Sequence, residues 1–145
     1  MSIKTLPFVL LILSLASAAS SAEPALAGQW RVKSATLYGK PAPEAVGRIY
    51  RFGKENLLSL QYIGHEERPA FGFVDMKAKP WTLDVELDED RREVGGEGAK
   101  EGIIELKGDV LTICVSAAAK EPRPKKFESK EGQFNMLIVM ERIKK

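Results

Sequence analysis

One cysteine and one histidine stand in a chain of 145 residues. That scarcity excludes a disulfide framework and a Cys/His zinc site, and it leaves no redundancy for a Cys-His nucleophile. An excess of one charge is missing too, since 22 Lys and Arg face 20 Asp and Glu. The net charge of +2 falls short of the basic surplus that a nucleic-acid surface carries. No stretch has the period of an amphipathic helix, no Gly-x-Ser-x-Gly elbow occurs, and past residue 22 no apolar run approaches a membrane span. What is present is 44% hydrophobic and 8% aromatic residues, enough for the core of one domain.

The sequence first divides near residue 22. Met1 to Lys4 carry one positive charge, Leu6 to Leu15 are almost wholly apolar, and Ala16 to Ala22 are small. This is the pattern of a cleavable secretory signal. The expected cut follows Ala22, with Ala18 and Ala19 as alternative sites. A retained anchor is disfavoured, because the run is shorter than the roughly 20 residues of a span. No cysteine stands near the cut, so lipid attachment at a new N-terminal cysteine is excluded. The expectation is a signal over 1–22, one domain over 23–145, and a secreted or periplasmic location without a transmembrane span. Cys114 lies in the apolar run Leu111-Thr112-Ile113-Cys114-Val115 and is expected to be buried and free.

The remaining chain alternates with a period of two. In Trp81 to Leu87, Trp81, Leu83, Val85 and Leu87 share one face and Thr82, Asp84 and Glu86 the other. Gln29 to Tyr38 places Trp30 and Val32 opposite Arg31 and Lys33, and Arg48 to Phe52 places Tyr50 and Phe52 opposite Arg51. Leu57–Ile63, Ala70–Met76, Glu101–Leu106, Val110–Ser116 and Met136–Ile143 complete eight strand candidates. Turn chemistry separates them. Lys107-Gly108-Asp109 predicts a tight hairpin, and Pro41 and Pro43 leave room for one helical turn at most. Asp88–Lys100 and Ala117–Lys126 read as mobile loops. The pattern predicts an all-β antiparallel meander of about eight strands, a sandwich or an up-and-down barrel. Closure into a barrel would remove the exposed edges.

Gly28-Gln29-Trp30 at the first strand and Arg142 on the last resemble the signature of the lipocalin-like superfamily. There the Arg packs across the indole and closes one barrel end. The chain also resembles a family of small exported domains, without an established activity, abundant in planctomycete bacteria. That family opens with Gly-x-Trp-x-Val, matched by Gly28, Trp30 and Val32 and followed by Gly39-Lys40-Pro41. Asp75, Lys79-Pro80 and Leu83-Asp84 continue the match. The most specific segment is matched by Gly102-Ile103, Leu106, Gly108-Asp109, Leu111-Thr112 and Cys114, with Ile104 in place of the usual aromatic. Arg123-Pro124, Phe127 and the strand from Leu137 to Arg142 complete it. The resemblance spans residues 28 to 143 and implies a lipocalin-like barrel, with Trp30 and Arg142 as structural closure residues.

Reactive chemistry is thin. Asp88-Glu89-Asp90 lacks the glycine and ligand spacing of a calcium loop, and three ligands from the turn Gly64-His65-Glu66-Glu67 would be cramped around a metal. Gly95, Gly96 and Gly98 do not lead from a strand into a helix with phosphate-binding spacing. Interleaved glutamates weaken the basic stretch from Lys120 to Lys130. No enzyme, metal or cofactor is expected. The richer signal is apolar. Tyr50, Phe52, Phe71, Phe73, Trp81 and Met136 are the candidate residues of a barrel interior, with Met76 and Met140 nearby in kind. Two functions follow. In one, the barrel holds a small apolar or amphipathic ligand. In the other, its interior is filled and it serves as a protein-interaction or envelope-associated module. A hydrolase has no supporting constellation.

Overall fold

The computed structural model describes residues 26–53, 58–61, 67–87, 100–118 and 120–144, and for 58–61, 67–71 and 86–87 it describes the backbone alone. The expected signal over 1–22, His65, the run 88–90 and the glycines at 95, 96 and 98 lie outside the described residues.

Nine strands follow one another: β1 (Gly28–Leu37), β2 (Lys40–Pro41), β3 (Ile49–Phe52), β4 (Leu58–Gln61), β5 (Glu67–Asp75), β6 (Trp81–Leu87), β7 (Lys100–Lys107), β8 (Val110–Ser116) and β9 (Asn135–Arg142). A single 3-10 turn, Pro43–Ala45, separates β2 from β3, where the prolines leave room for little else. Among the described residues every pairing is antiparallel and, apart from the small β2 flap and the seam of β1 with β9, consecutive. β1 pairs with β3 along one edge and with β9 along the other. Each of the eight longer strands therefore has a partner on both sides, and the meander curls into an up-and-down barrel.

The register sets the layers of the core. Ala35 stands opposite Ile138, Ile138 opposite Ile113, Ile113 opposite Ile104, and Ile104 opposite Trp81. A second ladder joins Val32, Met140, Leu111 and Leu106. Residues directly opposite one another point to the same face, so each ladder is a row of apolar side chains across adjacent strands. One irregularity makes both ladders possible. The register of β1 against β9 shifts between Val32 and Ser34, so that Val32 and Ala35, three residues apart, are both buried.

A second, smaller apolar layer lies on the outside. Ile103 and Cys114 face each other across β7 and β8 and are 3% and 0% exposed, yet neither belongs to the inner core. The chain between β8 and β9 covers them. Cys114 donates its thiol proton to the Glu128 carbonyl at 3.3 Å, and Pro124 is buried. Arg123 Nη1 donates to the Gly102 carbonyl at 2.7 Å and the Leu83 carbonyl at 3.4 Å. Its Nη2 reaches Asp84 Oδ1 at 2.8 Å and Glu101 Oε1 at 3.4 Å. The stretch expected as a mobile loop at 117–126 is thus the start of a strap, because Arg123 pins it to two strands. Gly102 permits the close approach beneath: a Cβ there would meet the Cys114 carbonyl oxygen at 2.8 Å.

Candidate functional site

The two ends of the barrel are built differently. At one end Trp30 is fully buried and its Nε1 donates to the Leu26 carbonyl at 3.0 Å. The guanidinium carbon of Arg142 lies 4.2 Å from the centroid of the indole. Arg142 Nη1 donates to the Ala27 carbonyl at 3.0 Å, and its Nε lies 3.4 Å from Asp109 Oδ1. Such a cation over an indole contributes about 0.5–2 kcal/mol. Gly28 has φ +133, a conformation other residues rarely adopt, and a Cβ there would stand 2.9 Å from Arg142 Nη1. Glycine, tryptophan and arginine thus occupy one interlocked plug.

At the other end the core stops short and a cavity of about 230 Å³ remains. Its floor is Leu83, Ile113 and Ile138, each almost fully buried. Leu37, Val85, Val115 and Met136 form apolar walls, with Tyr50 beside them. Tyr38 stands at the mouth, 42% exposed. It has φ +52 in the two-residue turn with Gly39 that joins β1 to β2, where both central residues take positive φ. Its ring meets Phe134 edge-on, with centroids 5.7 Å apart. Arg48 and Lys100 also line the cavity, and among the described lining residues there is no carboxylate. The volume exceeds the roughly 150 Å³ that admits benzene to an apolar cavity. It lies below the roughly 300–1,000 Å³ of sites for drug-sized molecules. Two further depressions, of about 420 and 340 Å³, lie among charged side chains on the outer surface, one beside Asp84 and Glu101 and the other beside Lys33 and Glu141.

The interior candidates separate accordingly. Tyr50 and Met136 line the cavity. Phe52, 2% exposed, belongs to the packed core, and Trp81 is partly buried against that core; neither is among the described lining residues. Phe73 is a correction. It is 64% exposed and faces outward, because its neighbour Val74, 4% exposed, takes the inward position opposite Leu83. The side chain of Phe71 lies outside the described residues. Arg48, Lys100 and Tyr38 were not among the interior candidates. The expected strands 29–38 and 48–52 included Tyr38 and Arg48, whereas in the structure Tyr38 occupies a turn and Arg48 precedes β3; Lys100 stood at the end of an expected loop. Counting back by twos from Ile104 through Gly102 to Lys100 is the one signal that points Lys100 inward.

Outside the barrel, burial pushes the Cys114 thiol up, and the hydrogen bond to the Glu128 carbonyl only partly offsets it. The protonated thiol is held under the strap as a packing group. Among the described residues no group of three or more His, Cys, Asp or Glu comes together as a metal site, and no helix is long and apolar enough to cross a membrane. No family model matches the chain, and no curated protein and no solved structure matches it either.

Proposed function

We propose that this protein is an exported, non-enzymatic, lipocalin-like domain that holds a small apolar or amphipathic ligand in the cavity at the open end of its barrel. The observation that carries the reading is that cavity: about 230 Å³, floored by Leu83, Ile113 and Ile138 and walled by Leu37, Val85, Val115 and Met136. An apolar space of that size left beside a packed core costs stability, because its lining loses contact partners. A ligand would restore those contacts. The pattern of residues 1–22 supports export to the periplasm or beyond. The resemblance to the planctomycete exported domains rests on Gly28, Trp30 and the segment from Gly102 to Cys114.

Native mass spectrometry of protein purified from its own host tests the reading. The expected result is a species heavier than the chain by the mass of one small organic molecule, released on denaturation. Protein that carries no added mass, and that takes up no small apolar probe in titration, overturns it. One observation favours a second reading, a protein-contact module: Phe73 and Phe134 are 64% and 56% exposed. Phe73→Ser would then abolish capture of a partner while leaving the cavity as it is.

A further inference from the structure

Positive charge gathers at the plugged end. In an up-and-down meander every second connection lies at the same end. The turn between Asp75 and Trp81, the hairpin from β7 to β8, the last residues of β9 and the entry at Leu26 therefore meet there. These segments carry Lys77, Lys79, Lys107 and Lys144, all exposed, and Arg142 over the indole. Carboxylates among the same described residues are fewer. Asp75 Oδ1 accepts from the Lys77 amide at 2.8 Å, Glu105 lies 3.3 Å from Lys107 Nζ, and Asp109 serves both Arg142 and Lys144. The flank formed by β1 and β9 keeps the same sign. Its depression of about 340 Å³ is lined by Arg31, Lys33, Arg142 and Lys144, with Glu141 as the one carboxylate among the described lining residues. The surplus at this end and flank exceeds the +2 of the whole chain, so the rest of the chain is not cationic on balance.

We infer that the plugged end docks on an anionic bilayer surface, which leaves the open mouth facing the aqueous side. An exposed lysine near an anionic bilayer strengthens binding about fivefold, and four such lysines stand at one end of one barrel. Val110, in the same hairpin as Lys107, is 44% exposed and offers an apolar contact at the headgroup boundary. The chain also enters the fold at this end. Three residues, 23–25, separate the expected cut after Ala22 from the buried Leu26, a reach of roughly 10 Å when extended. A domain that folds before its signal is cut therefore has the lysine end against the membrane. The surface lies at the opposite end from the cavity and does not depend on what the cavity holds.

Flotation of the purified protein with vesicles tests the inference, using phosphatidylcholine alone and phosphatidylcholine mixed in equal parts with phosphatidylglycerol. Binding is expected to the mixed vesicles only. It should be lost as salt rises from about 0.1 M to about 1 M, where the screening length falls from roughly 10 to 3 Å. Lys77→Gln, Lys79→Gln and Lys107→Gln combined should weaken it about a hundredfold. Lys125→Gln with Lys126→Gln, at two exposed positions of the strap, should change it far less. No binding to either vesicle, or equal binding to both, overturns the inference. A loss as large in the strap variant as in the combined variant overturns the assignment to this end. Glycerol phosphate that displaces the protein at an ionic strength where sodium chloride does not would show a site for a single headgroup and overturn a bilayer surface. Should the combined variant fail to fold, Lys79→Gln alone, with an expected loss of about fivefold, and the salt series of the unaltered protein decide the matter.

Discussion

The plugged end and the open end of this barrel use the same kind of wall for opposite purposes. At the plugged end the largest side chain of the core, Trp30, is fully buried, and Arg142 covers it while bonding to the Ala27 carbonyl and to Asp109. At the open end Val85, Val115 and Leu37 are among the walls of a space that the described residues do not fill. The outer brace is also uneven. Arg123 and the strap bind the carbonyls of Leu83 and Gly102, and these two residues are paired across β6 and β7. An unfilled interior thus has a fastened exterior. A cavity keeps its shape only when its walls cannot collapse, and the hydrogen bonds of Arg123 across β6 and β7 resist that collapse.

Substitutions at the two ends should separate in size. Trp30→Ala removes the plug and should destabilise by about 3–5 kcal/mol in urea unfolding. A loss under about 1 kcal/mol would show that the plugged end is not the tighter one. Arg123→Ala should cost about 1–3 kcal/mol, because two carbonyls and two carboxylates lose their donor. It should also weaken binding of an apolar probe; stability loss with unchanged probe affinity would uncouple the strap from the cavity. Arg142→Ala should cost about 0.5–2 kcal/mol and shift Trp30 fluorescence, and unchanged emission would argue that the guanidinium contributes nothing at the indole. Val115→Phe should change stability by less than about 1 kcal/mol, since the added ring enters open space, while abolishing ligand uptake. A large destabilisation there would mean that the open end is as tightly packed as the other.

The smallest effect concerns the strap. The Cys114 thiol is raised above its ordinary value of 9.0 in the folded protein. Above that pH the unfolded chain loses its thiol proton first, so folding stability falls as pH rises from about 9 toward the folded value. Comparing the slope of stability against pH in the unaltered protein and in Cys114→Ala isolates this contribution. Identical alkaline slopes would place the thiol in contact with solvent, and the strap would not be closed.

How much of this was legible differs from strand to strand. β6 reads cleanly because its alternation has one wet side, as in Trp81 to Leu87, and β8 reads as a strand from its apolar run. β5 did not give its parity, since Phe73 and Val74 are both apolar and bulk favours the wrong one; pairing with β6 puts Val74 opposite Leu83. The bulge after Val32 was invisible, because a shifted register leaves no mark in composition. In the candidate site, Tyr50 and Met136 were found by their apolar character, but Arg48 and Lys100 were missed for the same reason. A charged residue at a strand end reads as solvated until the opposite wall is known.

By itself the sequence determined the class and order of this protein: an antiparallel succession of short strands that begins at Gly28-x-Trp30 and ends at Arg142. Those features are local, because period-two alternation and turn residues act within a few positions. The tertiary structure decided what the order encloses. Whether apolar side chains meet at the axis depends on register, bulge and strand tilt, which bring residues from all around the ring together. Those relations fill the barrel at Trp30 and leave it open beneath Tyr38.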